Sequence, residues 1–78
     1  MIELFTKPAC VQCKATKRLF NKLGLAYETY DVTEDTAALE RLQSETKYTS
    51  VPVVIANGES WFGYREDRIK ALATQANA

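Results

Sequence analysis

Along this chain, apolar positions recur every second residue in some stretches and about every 3.6 residues in others. Met1–Thr6 (MIELFT) alternates and is rich in strand formers, which predicts a strand. Lys7-Pro8-Ala9 makes a bend, since proline disfavours continuing the strand. From Cys10 or Val11 to Leu23 the period turns helical, with Ala15, Leu19, Phe20 and Leu23 inward and Lys14, Lys17, Arg18 and Lys22 mostly outside. Gly24 is a natural stop for that helix. Leu25–Val32 (LAYETYDV) is predicted as a second strand, with Tyr27, Thr29 and Asp31 on one side. Thr33 is expected to cap the next helix, with Glu34 and Asp35 in its first turn and Leu39 and Leu42 on its apolar stripe.

After a polar turn at Lys47–Ser50, Val51–Ala56 (VPVVIA) has the β-branched density of a strand. Pro52 lacks an amide hydrogen and must sit at the strand's start. Asn57-Gly58 predicts a hairpin turn that pairs Glu59–Phe62 antiparallel with this run. Gly63 ends the element, and Arg65 to about Ala76 reads as the last helix, with Ile69, Leu72 and Ala73 facing the sheet. Asn77 and Ala78 are expected to fray. The order βαβ-α-ββα predicts an α/β fold with a four-stranded mixed sheet covered by helices, its first two strands parallel. With no linker or repeat, residues 1–78 read as one small domain.

Composition supports a packed core: 46% of residues are hydrophobic and 26% charged, a globular rather than disordered balance. Ten basic and ten acidic side chains cancel, but unevenly. Lys7–Lys22 holds five Lys or Arg and no carboxylate, whereas Leu23–Ser60 holds two basic residues against seven acidic ones. Positive charge around the cysteines favours thiolate and attracts an acidic partner; a solvated helix face is the alternative for Lys17 and Lys22. No nucleic-acid motif accompanies the basic stretch, and no apolar run is long enough for a membrane span or a signal peptide. Two cysteines without an export signal fit the reducing cytoplasm.

Those cysteines carry the chemistry. Cys10-Val11-Gln12-Cys13 follows a strand and opens a helix, the setting of a dithiol redox centre. A bridge between them closes too short a loop to be a strong entropic staple, so exchange is its expected use. Two thiolates supply half of a tetrahedral zinc shell, and the chain has no histidine to complete it. Cys10, at the helix start, meets unpaired amides and the positive end of the dipole, which makes it the expected nucleophile. Cys13, one turn inside, is the expected resolving thiol.

Three segments at these distances carry a resemblance that spans the chain. Thr6-Lys7-Pro8-Ala9-Cys10-Val11-Gln12-Cys13 resembles the active-site segment of the NrdH-redoxins, glutaredoxin-like members of the thioredoxin-fold superfamily. Ser50-Val51-Pro52 resembles the superfamily's cis-proline loop, and Trp61-Phe62-Gly63-Tyr64-Arg65-Glu66-Asp67 resembles the family's Trp-Ser-Gly-Phe-Arg-Pro-Asp signature. Phe62 stands where the family has serine and Glu66 where it has proline.

The resemblance implies a small monomeric cytoplasmic electron carrier, a protein disulfide oxidoreductase that binds no cofactor itself. Its implied partners are thioredoxin reductase, which uses NADPH and FAD, and the large subunit of class Ib ribonucleotide reductase. It also implies a cis-Pro52 facing Cys10, leaving the Val51 backbone to pair with an extended substrate. Lys7, Val11, Gln12, Val51, Trp61, Gly63, Tyr64, Arg65 and Asp67 are the candidate partner-binding residues. Trp61 has hairpin packing as its alternative, Lys7 a solvated loop, and Arg65 and Asp67 ordinary first-turn solvation. Two other functions stay open: a glutathione-dependent glutaredoxin, and a binding module whose cysteines sense oxidation or hold zinc.

Overall fold

A computed structural model describes residues 1–76. Its elements are β1 (Ile2–Thr6), α1 (Val11–Lys22), β2 (Glu28–Asp31), α2 (Thr36–Glu45), β3 (Val53–Ala56), β4 (Glu59–Phe62) and α3 (Glu66–Ala76). This is the order read from the sequence; the fraying expected at Asn77 and Ala78 lies outside the described residues. The sheet runs β2-β1-β3-β4, with β2 parallel to β1 and the other neighbours antiparallel.

Strand alternation divides the core into two apolar clusters. Leu4, Val54, Ala56 and Trp61 pack with Leu19 and Phe20 of α1 and Ile69 and Leu72 of α3. Phe5 and Val53, one residue out of phase, pack with Ala38 and Leu42 of α2 and with both cysteines. Because both faces of β3 are covered, it reads as a continuous apolar run instead of an alternating one. Asn57 (φ 52) and Gly58 (φ 78) both take the left-handed conformation that a two-residue hairpin turn requires.

Beyond shifts of one residue at the ends of β1, α1 and α3, three boundaries differ from expectation. Strand β2 spans Glu28–Asp31 instead of Leu25–Val32, with Glu28–Asp31 in register with Glu3–Thr6 of β1 and Val32 adding one amide bond to Thr6 O at 3.0 Å. Leu25 instead donates to Phe20 O at 3.0 Å while Gly24 donates to Asn21 O at 3.2 Å, and together they close the end of α1. Asp35, not Thr33, caps α2: its carboxylate accepts from the Ala38 amide at 3.0 Å. Thr33 is occupied upstream, donating its amide and hydroxyl to the Asp31 carboxylate. That turn holds the Asp31 carboxyl below its usual range. Strand β3 begins at Val53, so Val51 and Pro52 form a loop before it.

Helix α2 is also tied to the sheet by charge. Arg41 donates to both Glu3 carboxylate oxygens, at 2.8 and 2.9 Å, and to Glu45 at 2.9 Å. Its guanidinium lies 5.5 Å from the Phe5 ring centre and 5.7 Å from that of Tyr30.

Candidate functional site

After β1, residues 7–9 turn outward, and Ala9 stands at φ 58, uncommon for a residue with a Cβ. That turn delivers Cys10 in extended conformation to the N-cap of α1, where its Sγ accepts the Cys13 amide at 3.1 Å. Cys10 and Cys13 form a disulfide with their Cα atoms 5.2 Å apart. Cys10 is 8% exposed and Cys13 2%, so the first sulfur-bearing residue is the outer one. Thr16, one turn further on, is fully buried and donates to Gln12 O at 2.9 Å. Among the described residues no other His, Cys, Asp or Glu gathers with the pair into a metal-holding group.

The Val51–Pro52 peptide is cis. Val51 packs in one cluster with both cysteines, and Pro52 is buried. Among the described residues, no hydrogen bond engages the Val51 amide or carbonyl. The loop between β4 and α3 closes the site. Gly63 N donates to Pro52 O at 2.8 Å, and the next amide, of Tyr64, donates to Gln12 Oε1 at 3.1 Å. Gly63 has φ 89, and a Cβ there would stand 3.3 Å from the same Gln12 oxygen. Both the backbone angle and the close approach therefore call for glycine. Two consecutive amides thus tie this loop to the proline loop and to the helix turn that carries the disulfide.

The structure gathers Cys10, Cys13, Gln12, Val51, Pro52, Gly63 and Tyr64 in this way. Val11 is 80% exposed next to Cys10, and Lys7 lies exposed on the preceding turn. Arg65 pairs with Asp67 at 3.2 Å and holds the Asp67 carboxyl below its usual range. Trp61 is placed in the core at 3% exposure, with its Nε1 unpartnered and the Arg68 guanidinium 5.6 Å from its ring. Its neighbour Phe62 is the exposed aromatic and stacks on Tyr48 at 6.1 Å. Tyr48 has no role in the sequence reading; its one signal there is an aromatic inside an otherwise polar turn. The Gln12–Tyr64 bond spans 52 positions and leaves no local signal.

Comparison with known proteins agrees with this geometry. The glutaredoxin family model matches residues 2–61. Glutaredoxin-like protein NrdH of Escherichia coli K12 is 39% identical over 71 residues, which cover 91% of this chain and 86% of that protein. The solved structure of NrdH-redoxin from Escherichia coli, described as glutaredoxin-like with a thioredoxin-like activity profile, superposes with a TM-score of 0.83 at 39% identity. It covers 91% of this chain and 92% of that one. A buckwheat glutaredoxin–glutathione complex matches with a TM-score of 0.74 at 25% identity, covering 99% of this chain and 79% of that one.

Proposed function

This chain belongs to the glutaredoxin family as an NrdH-like redox protein with a Cys10–Cys13 pair, and we propose that it works as a thioredoxin-like electron donor. In this reading thioredoxin reductase, using NADPH and FAD, reduces its disulfide. The dithiol then reduces protein disulfides, those of class Ib ribonucleotide reductase foremost, in the cytoplasm and as a single-domain monomer.

The β4–α3 loop carries the choice between thioredoxin-like and glutathione-dependent chemistry. The place where a glutathione-using relative needs small residues and a free approach holds exposed Phe62, and the Tyr64 amide is already taken by Gln12. The thioredoxin-like activity profile of the Escherichia coli relative supports the same reading.

In the reduced protein the Cys13 amide, aimed at Cys10 Sγ, favours negative charge on that sulfur. Cys10 thiolate attacks a partner disulfide, one partner sulfur leaves as thiolate, and a mixed disulfide forms. Cys13, as thiolate, then attacks the Cys10 sulfur and expels the second partner sulfur. The partner gains two electrons and, after protonation, two thiols, while this chain returns to the disulfide. The Val51 backbone, with no hydrogen bond of its own among the described residues, is available to pair with an extended partner segment.

The test supplies electrons by two routes, NADPH with thioredoxin reductase and NADPH with glutathione and glutathione reductase. NADPH consumption is followed on a test disulfide, with Cys10→Ser as blank. Turnover through thioredoxin reductase alone is expected; turnover through glutathione alone would replace this reading with that of a glutathione-dependent glutaredoxin. Cys13→Ser should accumulate a trapped mixed disulfide with a protein partner, and its failure to do so would reverse the assigned order of attack.

A further inference from the structure

Helices α1 and α3 pack side by side, and the cleft between them, of about 340 Å³, opens to solvent beside the redox site. Tyr64 stands at its wall, fixed by its amide to Gln12, between the two cysteines. Ala15 and Leu19 contribute to the lining, and the charged groups around it are Arg18, Lys22, Lys70 and Glu66. Glu66 is occupied by Lys70 at 2.6 Å, and among the described residues neither Arg18 nor Lys22 has an ion-pair partner. The cleft therefore carries an excess of two positive charges, drawn from the Lys7–Lys22 stretch that contains no carboxylate.

We propose that this α1–α3 groove docks an acidic segment of the partner protein, with carboxylates about four to six residues from the partner's reactive cysteine. The spacing follows from helix geometry. Arg18 and Lys22 lie eight and twelve residues beyond Cys10, or about 12 and 18 Å along a helix rising ~1.5 Å per residue. An extended segment advances ~3.3 Å per residue and spans those distances in about four and five to six steps. A flat basic patch would attract any polyanion, whereas this cleft runs along the helix that presents the sulfurs. Tyr64, 37% exposed on the wall of the cleft, adds apolar contact. The proposal rests on the reading that Cys10 attacks protein disulfides and adds which sequences around such a disulfide are preferred.

The test is a stopped-flow comparison using the pre-reduced protein, so that no reductase is involved. Two otherwise identical disulfide peptides carry Glu or Gln at the fourth and sixth positions after the cysteine. A small uncharged disulfide is the reference. For two exposed ion pairs, the second-order rate constant should favour the Glu peptide by about three- to tenfold at low salt. That preference should shrink as ionic strength rises. It should vanish or invert in Arg18→Glu/Lys22→Glu and vanish in Arg18→Gln/Lys22→Gln, with the uncharged disulfide reduced at the wild-type rate throughout. Equal rates for the two wild-type peptides, or a preference that survives charge reversal, would overturn the groove. Failure of the wild type to reduce even the uncharged disulfide would instead defeat the functional reading beneath it.

Discussion

Gly63→Ala puts the closing loop of the site under a quantitative test. The residue has φ 89, where a Cβ costs about 1–2 kcal/mol. The added Cβ also stands 3.3 Å from Gln12 Oε1, tight enough that the amide must give by a few tenths of an ångström. That shift strains the 3.1 Å bond from Tyr64 N, whose net worth is about 1 kcal/mol. The expected total is about 2–3 kcal/mol, or a melting temperature lower by about 10–20 °C for a domain of this size. Gln12→Ala removes both the obstructing oxygen and the bond, and on its own should cost about 1 kcal/mol. In the double variant the backbone strain remains but the crowding is gone. Its loss should therefore fall short of the sum of the singles by about 0.5–1 kcal/mol. Urea unfolding of the four oxidised proteins reads this directly. Additivity within about 0.3 kcal/mol would refute the claim that Gln12 is what confines position 63.

Three further outcomes are expected. Asp35→Ala should cost about 1 kcal/mol in urea unfolding as the α2 cap is lost, with Thr33→Ala costing less than half as much; the reverse ranking would restore Thr33 as the cap. Arg41 holds the Glu3 carboxyl below its usual range, so the stabilisation is full above the carboxyl's unfolded value and is lost as pH falls through the lower folded one. Arg41→Met should therefore lower the melting temperature at pH 7 and flatten its decline between pH 5 and pH 2, whereas parallel curves would show the pair contributes nothing. Trp61→Phe should cost about 1 kcal/mol or less, because the indole N–H it removes has no partner, against about 3–5 kcal/mol for Trp61→Ala; equal losses in urea unfolding would show that the indole N–H does have a partner.

Local chemistry was legible wherever one short segment decides it. Periodic runs, the β-branched density before Asn57 and the Asn57-Gly58 turn gave the seven elements in order, since each is a property that a short segment carries alone. The hairpin at Asn57-Gly58 and the end of α1 at Gly24 depend on one or two residues and appear where expected. The cysteine pair announced redox chemistry by its spacing and by the helix it opens. Boundaries were less legible. Leu25 and Tyr27 have strand character, but the Leu25 amide is spent on Phe20 O at the end of α1, and the ladder with β1 begins only at Glu28. Thr33 and Asp35 are both good caps, and what separates them is that Asp31 already engages Thr33.

The sequence by itself determined the elements and the reactive pair, because propensity, periodicity and capping act within a few residues. Only the tertiary structure decided what surrounds the sulfurs. Packing against Leu4, Phe20 and Ile69 turns Trp61 inward and leaves Phe62 and Tyr64 outside. Chain reversal brings Gln12 to the Tyr64 amide, 52 positions away. The α1–α3 cleft gathers the cations of one helix beside the Glu66–Lys70 pair of another. Each of these depends on the relative placement of distant segments, which a one-dimensional pattern does not encode and a shared core enforces.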